Sequence, residues 1–178
     1  MTFKEYYNQE VKKKLIRELS LKNPMEAPRL IKVVLNVGAG EAVSSKGVLE
    51  KIQEQISLIA GQKAVITLAR KSVSAFKIRK GLAIGVKVTL RGKKMFNFVE
   101  KLVKVVIPRL RDFRGVSEKN LDGHGNLNLG FTEQTIFPEI EFDKIDKIRG
   151  LQVTLVTNAG THAKGKKLFE LLGVPFKK

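Results

Sequence analysis

Cysteine is absent from this 178-residue chain, which removes disulfides, thiolate chemistry and cysteine-type zinc sites together. Histidine is scarce: His124 and His162 stand alone, without a second histidine at ligand spacing, so a metal centre is not expected. No apolar run approaches the ~18 residues that a membrane span requires. Met1-Thr-Phe-Lys-Glu5 lacks the hydrophobic core of a secretory signal. There is no lysine-rich amphipathic helix with bulky apolar anchors and no lipidation signal, so no membrane partner is expected and the simplest address is the cytosol. Low-complexity linkers and internal repeats are missing as well, which favours one compact domain over residues 1–178.

The most informative absence concerns negative charge. From Gln55 to Val99 the chain has no aspartate or glutamate, yet it carries ten lysines and arginines: Lys63, Arg70, Lys71, Lys77, Arg79, Lys80, Lys87, Arg91, Lys93 and Lys94. The same stretch is rich enough in Val, Ile, Leu and Phe to fold. Unbalanced charge in a folded segment costs stability through self-repulsion unless a polyanion meets it. Across the whole chain, 34 basic against 17 acidic residues leave a net charge of +17, with a pI near 10.2, as in nucleic-acid-binding domains. A hydrophobic fraction of 43% is ordinary for a globular protein of this size.

Periodicity predicts four helices. Residues 3–20 carry Tyr7, Val11, Leu15 and Leu19 at i, i+4 spacing. Residues 46–60 place Val48, Ile52, Ile56 and Ile59 on one face, with Gly61 as the stop. A third runs from Lys93 to Val106, lined by Phe96, Val99, Leu102, Val103 and Val106, with Pro108 ending it. The last spans about 161–172, from an N-cap at Thr161 to Gly173.

The strands alternate cleanly. In 30–37, Ile31, Val33, Leu35 and Val37 oppose Lys32 and Asn36. In 84–91, Ile84, Val86, Val88 and Leu90 oppose Lys87, Thr89 and Arg91. Segments 126–131 and 151–156 alternate likewise, and 64–68 reads as a short fifth strand. Alternation of this kind marks a mostly antiparallel sheet with one buried and one open face. The expected class is therefore α+β, with helices covering the apolar face and the other face open. Lys32, Asn36, Lys87, Thr89 and Arg91 would gather on that open face, where cations, amides and hydroxyls suit phosphates and ribose 2′-hydroxyls. No aromatic residue stands there, so structured RNA read by shape and backbone is the expected ligand rather than splayed bases.

The motifs carry competing readings. Arg70 to Gly81 holds five cations in twelve residues between two strands: a solvated loop by default, an RNA contact given its acid-free surroundings. Within it, Phe76 is either a ring that stacks on a base or an anchor that pins the loop to the core. Asn36-Val-Gly-Ala-Gly40 lacks the third glycine and downstream acid of a dinucleotide fingerprint, and no Gly-Lys-Ser/Thr sequence exists, so no cofactor is expected. Gln62 and Lys63 follow a helix end and divide evenly between capping and RNA contact. In Pro108–Gly115, Asp112 organises Arg109, Arg111 and Arg114 on the plain reading, and the turn-rich connection through Asp122-Gly-His-Gly-Asn126 is long enough to be functional. Glu139, Glu141 and Asp143 would share a face if their segment were a strand. That formally permits a divalent ion, but an acidic patch for a basic protein neighbour is the better reading.

These motifs, in this order, resemble the universal large-subunit ribosomal protein five family in its bacterial, 5S rRNA-binding form. The resemblance runs through Asn36-Val-Gly-Ala-Gly-Glu-Ala42, Gly61-Gln-Lys63, Phe76-Lys-Ile-Arg-Lys-Gly81, Val88-Thr-Leu-Arg91, Pro108-Arg-Leu-Arg-Asp-Phe-Arg-Gly115, Asp122-Gly-His-Gly-Asn126, Glu133-Gln-Thr-Ile-Phe-Pro-Glu139 and Pro175-Phe176. It implies a protein of the central protuberance that holds 5S rRNA on the open face of its sheet, among 23S-type rRNA and other central-protuberance ribosomal proteins. It further implies rRNA contacts at Asn36, Gln62, Lys63, Thr89 and Arg91. Arg70, Lys71, Lys77, Arg79 and Lys80 would face tRNA in the peptidyl site. The segment 133–149, with Glu133, Glu139, Glu141, Asp143 and Asp146, would meet a basic protein of the small-subunit head. Three departures stand out: His124 replaces a common arginine, Ala64 a usual proline, and Gly160–Lys167 is basic where relatives are acid-rich. The last suggests an extra RNA contact.

The expected function is thus structural and non-catalytic. A free-standing RNA chaperone or translational regulator using the same face is the alternative. A nuclease built on the acids of 139–143 has the least support.

Overall fold

The computed structural model describes residues 2–43, 47–110, 113–141 and 145–177. Arg111, Asp112 and Asp143 lie outside them. Helix α1 covers Phe3–Tyr6, Tyr7–Val11 in the wider π form and Lys12–Glu18. Thr2 caps it: its hydroxyl accepts from the Glu5 N–H while the Glu5 carboxylate accepts from the Thr2 N–H. Phe3, Tyr7, Val11 and Leu15 are all buried. Strict spacing of four drifts by about 40° per step on a regular helix, and the π turn takes up that drift.

Strand β1 is Leu30–Gly38, α2 is Gly47–Ala60, β2 is Val65–Leu68 and β3 is Ala83–Leu90. Helix α3 joins Gly92–Lys101, a π stretch at Leu102–Val106 and a last turn at Ile107–Arg109. Pro108 therefore sits inside the final turn and does not end the helix before it. The wider π stretch just before it makes room for the proline ring, and the helix carries one more turn. Strands β4 (Leu127–Phe131) and β5 (Leu151–Thr157) and helix α4 (His162–Leu171) complete the order.

The five strands form one antiparallel sheet in the order β2-β3-β1-β5-β4. The class is α+β, as the alternation required. The residues divide into two compact units. One comprises Met1–Val33, Arg91–Leu129 and Thr154–Lys178; the other comprises Val34–Leu90 and Gly130–Val153.

The first unit buries the α1 stripe together with Met95, Phe96, Phe98, Val99, Leu102 and Val106 of α3, and Leu168 and Phe169 of α4. Tyr7 and Phe96 meet with ring centroids 5.8 Å apart, and the Tyr7 hydroxyl donates to the Pro28 carbonyl at 2.8 Å. In the second unit α2 packs on β3. Ile52, Ile56 and Ile59 are at most 2% exposed, as are Val86, Val88 and Leu90. Each such side chain contributes about 1.5–3 kcal/mol of burial. Leu49 is buried on α2 and Val48 only partly, one position off the expected stripe. Ile31 also departs from expectation: it is 40% exposed, and the buried alternation of β1 begins at Val33.

Candidate nucleic-acid interface

In the second unit, β2, β3 and the part of β1 from Val34 onward set the geometry. In β2 and β3 the register pairs Val65 with Lys87 and Ile66 with Val86. The Ala39 N–H donates to the Ile84 carbonyl at 2.9 Å, and followed along the two antiparallel strands this register sets Asn36 across from Lys87. Asn36, Lys87 and Val65 thus form one row across β1, β3 and β2. Asn36 and Lys87 are exposed, Thr89 is half-buried, and Val65 is 60% exposed. Their side chains alternate away from the buried Val86 and Val88. Gly85 has a steric reason to lack a side chain: a Cβ there would lie 2.8 Å from the Val37 carbonyl oxygen and 2.9 Å from Thr67 Oγ1.

Gln62 and Lys63 reach this row through the end of α2. Gly61 has φ +61°. Its N–H donates to the Leu58 carbonyl and that of Gln62 to the Ser57 carbonyl, the paired bonds of a Schellman stop. The Gln62 side-chain amide then donates to the Thr89 carbonyl at 3.3 Å. The capping reading holds for the backbone, and the side-chain amide lies against Thr89. Lys63 is exposed, and Arg91 is the exposed N-cap residue of α3, just past β3.

The basic loop is a small hairpin. Val73 and Ile78 exchange backbone bonds at 2.9 and 3.1 Å around a 3-10 turn at Ser74–Phe76. The Lys80 N–H donates to Ser72 Oγ at 2.9 Å, and the Gly81 N–H to the Ala69 carbonyl. Arg70, Lys71, Lys77, Arg79 and Lys80 are all exposed. Phe76 is 71% exposed, which removes the reading of a core anchor.

Charge pairing separates two kinds of cation. Among the described residues, Lys63, Arg70, Lys71, Lys77, Arg79, Lys80, Lys87 and Arg91 make no ion pair. In the basic segment of α4 the lysines are answered by acids: Lys164 by Glu26 at 2.8 Å, Lys166 by Glu118 at 2.6 Å, Lys167 by Glu18 at 2.7 Å. The hydrogen bond from Lys166 holds the Glu118 carboxyl below its usual range. The suggested extra RNA contact at 160–167 is thereby weakened, because these charges already have partners. Gly165 has a steric reason of its own, since a Cβ there would strike the Gly125 backbone.

The connection through Asp122 is also internally satisfied. Asp122 Oδ1 accepts from the His124 and Asn126 N–H groups at 2.9 and 2.8 Å, and Asn126 Oδ1 accepts from the Thr157 N–H at 2.9 Å.

Among its described residues, the acidic segment is not a strand. Gln134–Ile136 is a 3-10 turn and irregular backbone follows it, so Glu139 and Glu141, both exposed, do not alternate across a sheet. Pro138 lacks the N–H a ladder would need. A buried network fixes the segment. The Gln134 amide donates to Gln55 Oε1 and the Lys147 carbonyl, while its Oε1 accepts from the Arg149 N–H at 2.8 Å. The Arg149 guanidinium, with 7% of its side chain exposed, grips both oxygens of Asp146 at 2.8 and 3.1 Å. Asp146 is further approached by Lys51 at 3.9 Å, so it serves this network before any partner.

Hydrogen bonding from Arg149 holds the Asp146 carboxyl down at about 2, against an ordinary 3.8. A depressed carboxylate stabilises the fold at neutral pH, and that contribution is lost as pH falls from about 4 through about 2. Asp146→Asn is expected to lower stability at pH 7 by about 2 kcal/mol, less than a fully buried pair because Asp146 is partly open to water. The difference between parent and variant urea midpoints should shrink towards zero at pH 2. Gln134→Ala should cost about 1–3 kcal/mol at every pH, since it strands the buried Arg149 N–H.

An α+β domain that keeps eight cations of its acid-free stretch out of ion pairs among the described residues, on or beside a sheet row and in an adjoining hairpin, has the surface of an RNA-binding protein. Residues 23–79 match the family profile described as ribosomal protein L5, and residues 83–176 match the profile of the same ribosomal family's C-terminus. The chain is 52% identical over 175 residues to the large ribosomal subunit protein uL5 of Desulfotalea psychrophila, covering 98% of each chain. It is 51% identical over 175 residues to that of Helicobacter pylori, covering 98% of this chain and 97% of the relative. Against that of Campylobacter jejuni subsp. doylei the identity is 51% over 178 residues, covering 100% and 98%. The chain belongs to the ribosomal protein L5 family. It is a ribosomal protein of the large subunit and not an enzyme. Among the described residues, no helix is long and apolar enough to cross a membrane.

Proposed function

We propose that this protein anchors 5S rRNA in the central protuberance through the polar face of its sheet, at Lys32, Asn36, Lys87, Thr89 and Arg91, with Gln62 and Lys63 at the edge. The observation that carries this reading is that Lys63, Lys87 and Arg91 have no acid partner among the described residues, beside a row where Asn36 stands across from Lys87. The Asn36 amide and the Thr89 hydroxyl report backbone and groove geometry, while the cations set affinity. 23S-type rRNA and other central-protuberance proteins adjoin the same subunit region.

The hairpin cations Arg70, Lys71, Lys77, Arg79 and Lys80 face peptidyl-site tRNA, and their place on a self-closed hairpin beyond the ends of β2 and β3 supports a second RNA partner. The exposed acids Glu133, Glu139 and Glu141 meet a basic protein of the small-subunit head. Asp143 belongs to the same proposed patch by sequence, and Asp146 braces it through Arg149.

Asn36→Ala and Thr89→Ala are each expected to weaken 5S rRNA binding by about 1–2 kcal/mol with little salt dependence, as for a lost hydrogen bond. Filter binding at two salt concentrations measures both. Unchanged affinity for both variants would remove the sheet row from the interface. The alternative, a free-standing RNA chaperone or regulator, predicts release from large subunits in high salt, whereas a structural component cosediments.

A further inference from the structure

Phe76 has no structural duty that its exposure would serve. It is 71% exposed at the tip of the 70–81 hairpin, and the residue after it, Lys77, holds φ +54°. A left-handed conformation is uncommon for a residue with a long side chain, and such strain collects at functional sites. The hairpin closes with its own backbone bonds between Val73 and Ile78, so the ring is not needed to hold the loop together. Five exposed cations, none of them in an ion pair among the described residues, surround it. A ligand that is at once a polyanion and a source of flat apolar faces fits both features, and RNA with an accessible nucleobase is that ligand.

We propose that Phe76 stacks on a nucleobase face of tRNA and supplies the part of tRNA recognition that charge does not. This deepens, and rests on, the reading of the hairpin as a tRNA contact. The cations concentrate the polyanion, and their contribution falls with salt. A ring on a base adds affinity that survives salt, because stacking releases no counterions. The sheet row has no such ring, so the two RNA contacts differ in kind.

The test uses full-length protein and deacylated tRNA. The chain contains no tryptophan, so Phe76→Trp places a single indole at the tip, and tRNA is expected to quench its emission while 5S rRNA does not. Phe76→Ala is expected to reduce tRNA affinity about 5- to 100-fold without changing the slope of log K against log salt, and to leave 5S rRNA affinity and thermal stability intact. Lys77→Ala should instead reduce that slope by about 0.7–0.9. If tRNA binds with full affinity to Phe76→Ala and leaves the Phe76→Trp emission unquenched, stacking is wrong while the tRNA contact stands. If the parent binds tRNA no better than a single-stranded RNA of equal length, the underlying tRNA reading fails. Quenching by 5S rRNA, or a spectral shift on anionic phospholipid vesicles with no response to tRNA, would likewise overturn the proposal.

Discussion

The triple variant Lys63→Ala, Lys87→Ala, Arg91→Ala is expected to lose about 100-fold in 5S rRNA affinity at 0.15 M salt and to flatten the salt dependence of binding. Each phosphate contact contributes about 0.7–0.9 to the slope of log K against log salt. Removing three should lower it by about 2–3, and with 1 M salt as the point where the electrostatic part vanishes this corresponds to about two decades at 0.15 M. The matching control is Lys164→Ala, Lys166→Ala, Lys167→Ala. Both variants remove three positive charges, so a bulk effect of the +17 net charge is the same in each. The control lysines are neutralised by Glu26, Glu118 and Glu18, and their loss should leave affinity and slope as in the parent. Equal losses for the two triples would mean that overall charge binds the RNA and the sheet row does not.

Gly165→Ala is expected to destabilise the protein by about 2–3 kcal/mol and lower Tm by about 5–10 °C. On helix propensity alone the change would be favourable by about 1 kcal/mol. Packing reverses the sign. A Cβ at 165 would lie 2.7 Å from the Gly125 carbonyl oxygen and closer still to its Cα, and backbone cannot yield as a flexible side chain can. Gly125 has little room to move: its φ is +81° and its carbonyl accepts from Thr157 Oγ1 at 2.8 Å. Gly130→Ala is the control, because nothing lies within 4 Å of its Cβ position and its φ is ordinary. Thermal melts of the three proteins decide the matter: a Gly165→Ala melt as stable as that of Gly130→Ala would show that the loop relaxes freely.

Much of the fold was legible because its elements obey single rules. Two-residue alternation placed β3, β4 and β5 within a residue or so of their observed ends, and the Tyr7–Val11–Leu15 stripe located α1. The misplacements share a cause, namely that local pattern does not contain tertiary layering. Ile31 continues the parity of Val33 and Leu35, yet it is 40% exposed at the second residue of its strand. Leu49 and not Val48 meets the core because the orientation of α2 follows from packing on β3. Pro108 reads as a terminator, yet a preceding π stretch allows one more turn.

The candidate site was legible in its chemistry and only partly in its partners. Asn36, Lys87 and Thr89 share parity, and strand pairing brings Asn36 opposite Lys87. What composition could not separate was free from paired charge. Lys164, Lys166 and Lys167 look as available as Lys77 and Lys80 in the sequence, but their acids come from residues 18 to 118, far along the chain. Asp146 similarly reads as one of an acidic cluster, while in the fold it belongs to Arg149. The bond from Gln62 to Thr89 spans 27 residues and has no local sequence signal.

Lys63, Lys87 and Arg91, and not the hairpin cations or the basic surface at large, are proposed to hold 5S rRNA. Amine-reactive footprinting of each lysine, with and without 5S rRNA, tests this most directly. Lys63 and Lys87 should be protected in the complex, while Lys77, Lys80, Lys164, Lys166 and Lys167 keep the reactivity they show in the free protein. Protection at Lys164–Lys167 with Lys63 and Lys87 still reactive would contradict the account.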